Sequence, residues 1–277
     1  MRNFSALRIR SGFNFKNLRI TLTKLGKRIL IGLQYIGGLS LLLVRTCRFS
    51  LKKFTRGQYL VGQLNKVGAN SILIVFLITL FTGIVLALQS AYALGKFDLE
   101  NQIPGMVALS MTRELGPVLV ALIIAGRVGA SITAEIGTMK VTEQIDALES
   151  LATDPVRYLV VPRFLALLIA LPLLTIYGDF IGILGGYMVG VWKLGIGSIM
   201  YMNLTFEALV YKDVFTGLIK SIFFAMIIAT VSCYQGMLTK GGAEGVGRST
   251  TLSVVTSFIL IIASDCFFTA LFYFVLE

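Results

Sequence analysis

The sequence predicts an all-α integral membrane protein: an N-terminal interfacial or re-entrant helix, then five transmembrane helices, with a short cytoplasmic helix between the second and third. Three observations predict it. Of 277 residues, 56% are hydrophobic and only 14% charged, and a mean hydropathy of +0.84 leaves too little polar surface to cover a water-soluble globule. Five long stretches are almost free of charge, and about 20 apolar residues are enough to span a bilayer. The basic residues are also segregated: residues 1–66 hold 14 of the 25 Lys and Arg, and the first acidic residue is Asp98.

Residues 1–28 read as a basic cytoplasmic arm, which an anionic inner leaflet attracts; an Arg-rich, acid-free start is also compatible with a transit peptide. The uncharged run 29–44 has 16 residues, about 24 Å as a helix. That is short for a crossing, and Lys27, Arg28 and Arg45 flank it on both sides. An interfacial or re-entrant helix followed by a basic connector therefore accounts for 29–66. The remainder, 67–277, forms the five-helix domain. Residues 67–95 are 29 positions without a charge and make the first crossing. The second runs over about 106–133, interrupted by Arg113, Glu114 and Arg127, with Pro117 placed to kink it. The third precedes Lys193 and is broken only by Asp179; the fourth lies between Asp213 and Lys240 and is broken only by Lys220; the fifth lies between Arg248 and Glu277 and is broken only by Asp265.

An odd number of crossings puts the termini on opposite sides. With the basic N-terminus inside, Lys140, Arg157, Arg163, Lys240 and Arg248 also fall inside, as the positive-inside rule requires. The inner connection 134–162 contains Val141, Ile145, Leu148 and Ala152 on one helical face, with Glu143, Asp146 and Glu149 turned away from it. This is a short amphipathic helix. Its acidic side is repelled by anionic lipid, which favours docking on a cytoplasmic protein over resting on headgroups. Asp154-Pro155 then supplies an N-cap and a first-turn proline for the third crossing.

Charges inside crossings mark pathways or internal pairs. Arg113, Glu114, Lys220 and Asp265 all fall in the outer half of their helices, where two bases and two acids can neutralise one another or line a substrate cavity. Asp179 has no role assignable from its position. Small residues recur at every fourth position at Ala121, Ala125 and Gly129 and at Gly178, Gly182, Gly186 and Gly190, two faces that allow close helix packing within one chain or between copies.

Several functions are disfavoured. The net charge of +11 is not spread along aromatic-studded polar stretches, so no nucleic-acid partner is expected. There is no histidine, which removes the commonest general base and metal ligand. Cys47, Cys233 and Cys266 lack metal or disulfide spacing, and no metal site is expected. The string GAEGVGRS at 242–249 mimics a phosphate-binding loop with Arg248 in the lysine position, but such a loop needs a preceding strand in an α/β domain. No ATPase is expected in this chain.

Two strings are more specific than periodicity: RELGPVLVALIIAGRVGASITAEIGTMKVTEQIDALESLATDPVRYLVVPR at 113–163 and GGAEGVGRSTTLSVV at 241–255. They resemble the MlaE/YrbE family, the permease subunits of ABC transporters that move lipids with MCE-domain partners. The resemblance runs from about Gly62 to the C-terminus. It implies a homodimeric, non-catalytic permease that binds two cytoplasmic ATPase subunits, which hold ATP and Mg, and MCE-domain proteins on the outer face. It implies a lipid substrate, a phospholipid above all, in a cavity that Arg113, Glu114, Lys220 and Asp265 line. The segment of about 135–151 would be the coupling helix, with Glu135, Lys140, Glu143, Asp146 and Leu148 serving the ATPase contact. The expected location is a bacterial inner membrane or, alternatively, a plastid inner envelope. Two rivals are an ion-coupled secondary transporter of an amphipathic substrate, because intramembrane acids and bases also couple ions, and a membrane enzyme acting on lipids through Glu114 or Asp265.

Overall fold

The computed structural model describes residues 15–50 and 57–276. The basic arm therefore lies partly outside the described residues, as does the middle of the connector. Among those residues every element is helical. Helix α1 spans Phe15–Ser50. The apolar run 29–44 understates it, because Lys and Arg are good helix formers and lack of apolar burial does not end a helix. The chain divides into two compact units, Met1–Leu41 and Leu42–Glu277. In the first, Leu30, Leu33, Ile36 and Leu41 are exposed, and Ser40 Oγ donates to the Ile36 carbonyl at 2.9 Å.

The second unit holds five helices long and apolar enough to cross a membrane: Tyr59–Phe97, Glu100–Val141, Val156–Trp192, Tyr211–Met237 and Gly242–Phe274. The first of these joins α2 (Gly57–Val67) through a 3₁₀ turn, Ala69–Ser71, to α3 (Ile72–Leu94). The second is composite, with α4 (Ile103–Ser110), α5 (Gly116–Ile124) and α6 (Ala130–Val141) separated by π-helical turns at Met111–Leu115 and Ala125–Gly129. After α7 (Gln144–Ser150), the third crossing enters through a π turn at Val156–Val160 into α8 (Val161–Trp192). Asp154 Oδ1 accepts from the Val156 amide at 2.9 Å, the capping that Asp154-Pro155 predicts. A short helix α9 (Ser198–Ala208) precedes α10 (Tyr211–Met237) and α11 (Gly242–Leu276). Residues 242–249 are thus the first turns of a long helix, not a strand-to-helix loop.

The third crossing is the interior one, with 67% of its most apolar window enclosed, against 28% for the first and 11% for the fifth. α3 lies along α8, and α10 packs on α6, α8 and α11. The glycine face of α8 makes its contact within the chain: a Cβ on Gly83 of α3 would overlap the Gly182 carbonyl, so the two backbones touch as small residues permit. Ala121, Ala125 and Gly129 turn toward the interior, where a Gly129 Cβ would meet Ser232 Oγ and Ile228 of α10. Polar glue reinforces this junction. Thr133 Oγ1 lies 2.8 Å from Ser253 Oγ and 3.1 Å from the Ser232 carbonyl, within hydrogen-bond distance of both, which ties α6, α10 and α11 together.

Helix α9 was not anticipated in the connection between the third and fourth crossings. It sits against α4 and α8, with Tyr201 fully buried over Gly186 and Gly190 and its ring edge-on to Tyr187 at 5.4 Å. Burial pushes the Tyr201 phenol up to about 12, so it stays protonated at any physiological pH.

Candidate functional site

Pro117 begins the construction of the cluster around Lys220. It has no N–H, so the carbonyl four residues earlier, that of Arg113, loses its regular helical partner. The π turn at Met111–Leu115 surrounds this position, as such turns often do at functional sites. Gly217 of α10 lets that helix approach, because a Cβ there would overlap the Thr112 carbonyl. One turn further on, Lys220 then reaches the orphaned group, and its Nζ donates to the Arg113 carbonyl at 3.1 Å.

The same ammonium donates to Glu114 Oε2 at 2.6 Å and to Thr269 Oγ1 at 2.8 Å, and pairs with Asp265 Oδ1 at 2.9 Å. Thr269 Oγ1 lies 3.1 Å from Glu114 Oε1. Three crossings therefore meet at one cation. Lys220 is 1% exposed, whereas Glu114 and Asp265 are 38% and 22% exposed, so the cluster is closed behind the lysine and open at the carboxylates. Of the four charges singled out in the sequence, Glu114, Lys220 and Asp265 come together. Arg113 contributes only its carbonyl; its side chain turns to Asp213, 3.5 Å away. Asp213 also accepts from the Val210 amide at 3.0 Å, capping α10. Asp179 is buried on α8 against Gly116, and its Oδ1 has no hydrogen-bond partner.

At the other end of the second crossing the segment 135–151 is not one helix. α6 continues to Val141, Glu143 takes a left-handed conformation (φ 60°), and only Gln144–Ser150 forms α7. Glu135 and Lys140 therefore belong to the crossing. Glu135 bridges Arg163 at 2.9 Å and Lys66 at 3.3 Å, while Lys140 pairs with Asp146 at 2.6 Å. The amphipathic pattern holds for α7 itself: Ile145 is buried and Leu148 half-buried, with Glu143, Asp146 and Glu149 exposed. Ala152 departs from the apolar face, since a second left-handed residue (φ 54°) places it beyond the helix and exposed. Beside it Leu151 is 74% exposed.

The profile of permease MlaE matches residues 60–271. The chain belongs to the MlaE permease family. Relatives agree: it is 52% identical over 214 residues to a probable ABC transporter permease protein of Rickettsia prowazekii, covering 77% of this chain and 83% of the relative. A probable ABC transporter permease protein of Synechocystis is 44% identical over 76% of this chain and 80% of its own length. The intermembrane phospholipid transport system permease protein MlaE of Haemophilus influenzae is 40% identical over 77% and 82%. This MlaE-family chain is thus a multi-pass membrane protein.

Sequence reasoning about this MlaE-family member missed Asp213 and Thr269. Both had a signal. Asp213 is seven residues, two helical turns, before Lys220, and Thr269 is four after Asp265, so each shares a helix face with a residue of the cluster.

Proposed function

We propose that this chain is the transmembrane permease subunit of an ATP-driven phospholipid transporter in a bacterial inner membrane, serving lipid trafficking or membrane lipid asymmetry. Two copies enclose a cavity between them. The observation that carries this reading is the polar cluster around Lys220, open on its carboxylate side within apolar crossings of an MlaE-family chain. Groups of this kind are expensive in hydrocarbon and persist where they line a path or meet a partner. The lipid headgroup meets Glu114, Asp265 and Thr269, and the acyl chains lie against apolar side chains of the first and second crossings. The phospholipid is the cargo that the name of the Haemophilus relative states.

ATP and Mg are held by a separate cytoplasmic ATPase, and an MCE-domain protein exchanges lipid on the outer face. The α7 turn, with its exposed acids and Leu151, is the element that docks on the ATPase. Closure of the ATPase pair moves α7, and through α6 the cavity collapses.

The test is purification of the full chain from its native membrane in mild detergent, with mass spectrometry of co-purifying proteins and lipids, followed by reconstitution into vesicles. An ABC ATPase and phospholipid are expected. Thr269→Val should reduce lipid flux about tenfold, the value of one hydrogen bond to a charged group, while the ATPase remains bound. Glu143→Lys combined with Asp146→Lys should release the ATPase. Unchanged flux in the first and unchanged retention in the second would overturn the reading.

A further inference from the structure

A second polar site lies at the inner end of the second crossing, well away from the Lys220 cluster. Arg127 stands thirteen residues after Glu114, about 20 Å along the helix. The second crossing begins at Glu100, so Arg127 lies 27 residues, about 40 Å, from that end, toward the far boundary of a hydrocarbon core about 30 Å thick. Its contact agrees, because Arg127 Nη1 donates at 2.6 Å to Ser71 Oγ, immediately before the first residue of α3. Like Arg113 and Glu114, Arg127 sits in a π-helical turn.

Among the described residues Arg127 has no anionic partner. Glu135, the one carboxylate that shares its cleft, is already claimed by Arg163 and Lys66, and among the described residues no carboxylate lies within 4.0 Å of the Arg127 guanidinium. A guanidinium carries five N–H donors. The Ser71 hydroxyl takes one. The group is also exposed, and it faces a cleft of about 320 Å³ between α2 and the second crossing, at the small end of ligand sites. The cleft has an aliphatic floor of Val67, Val128 and Ile132, each buried, and polar walls that include Gln63, Asn70 and Ser131.

We infer that this cleft binds the phosphate group of a phospholipid of the inner leaflet, with Arg127 as its principal ligand and Lys66 as the second cation. Arginine matches phosphate oxygens with paired N–H donors, and basic pockets between transmembrane helices on the cytoplasmic side suit anionic headgroups. The cleft's cations exceed its carboxylates, and the amides of Gln63 and Asn70 can complete the shell of a bound phosphate or its glycerol. The placement of this headgroup in the inner leaflet rests on the orientation adopted for the proposed permease.

The experiment is lipid titration of the delipidated, detergent-purified full chain, followed by native mass spectrometry, with dioleoylphosphatidylglycerol, dioleoylglycerol or inorganic phosphate as probe. The wild type should bind one more phosphatidylglycerol per chain than Arg127→Gln, or bind it at this site about tenfold more tightly. Arg127→Lys should retain part of that binding. Asn70→Trp, which fills the cleft and leaves the charge in place, should abolish it, so the result does not depend on one variant folding well. Dioleoylglycerol should not occupy the site. Thr269→Val should leave this event intact, which separates it from the Lys220 cluster: unchanged lipid flux in Thr269→Val, with the Arg127-dependent event present, would sink the transport reading alone. Equal binding in wild type, Arg127→Gln and Asn70→Trp would overturn the inference. Full displacement of the lipid by millimolar inorganic phosphate would also overturn it, and would mark a free-anion site instead.

Discussion

Lys220 stands alone as a cation between Glu114 and Asp265, and removing one member of a buried ionic group costs more than removing all of it. Lys220→Met should therefore destabilise the chain by about 3 kcal/mol, while Lys220→Met with Glu114→Gln and Asp265→Asn should recover most of that loss. Thermal unfolding in detergent decides, and a triple variant no more stable than the single one would contradict the ionic account. The charged members of this cluster were legible in the sequence because charges are conspicuous in apolar runs. Which charge meets which was not. Arg113 is adjacent to Glu114 in the chain, yet neighbours on a helix project about 100° apart, so one turns toward Asp213 and the other toward Lys220. Asp213 reads in the sequence only as the charge that bounds a crossing, and its contact with Arg113 depends on the packing of α10 against the second crossing.

Among elements, the five crossings were legible because the cost of exposing backbone in hydrocarbon makes a long apolar run a helix irrespective of its neighbours. The short elements were not. α9 has no charge periodicity, and its burial depends on Tyr201 finding the glycines of α8. The split of 135–151 follows from the left-handed Glu143, which side-chain periodicity does not reveal. The helical pattern from Val141 to Ile145 is preserved across the break, so the apolar face looked continuous. Glycines separate the two kinds of helix in a measurable way. Gly83→Ala pushes a methyl into the Gly182 backbone and should cost about 1–3 kcal/mol, whereas Gly62→Ala on α2, where nothing lies within 4 Å, should gain up to about 1 kcal/mol from helix propensity. Unfolding midpoints of opposite sign are expected; a neutral Gly83→Ala would mean that α3 and α8 do not touch there.

For the molecule as a whole, the clearest legible property is charge asymmetry. Lys140, Arg157, Lys240 and Arg248 fall at one end of the bundle and Lys96, Lys193 and Lys212 at the other, because the described crossings alternate as the apolar runs predict. In a variant with Cys47, Cys233 and Cys266 replaced by serine or alanine, Lys193→Cys should react with a membrane-impermeant maleimide in intact cells after the outer membrane is opened. Lys240→Cys should react only once the inner membrane is permeabilised. The reverse pattern would invert the topology and place the Arg127 cleft on the outer side.

An ammonium has three protons, and Lys220 has already given all of them to Glu114, the Arg113 carbonyl and Thr269. An arriving phosphate therefore finds a positive charge with no hydrogen left to share, unless a carboxylate first lets go. What the open side of the cluster does have to spare is oxygen lone pairs. On the proposed reading its guests are donors, such as an amine, a hydroxyl or a chain of water molecules, so selectivity at this cluster should follow what a headgroup can give and not the negative charge it carries.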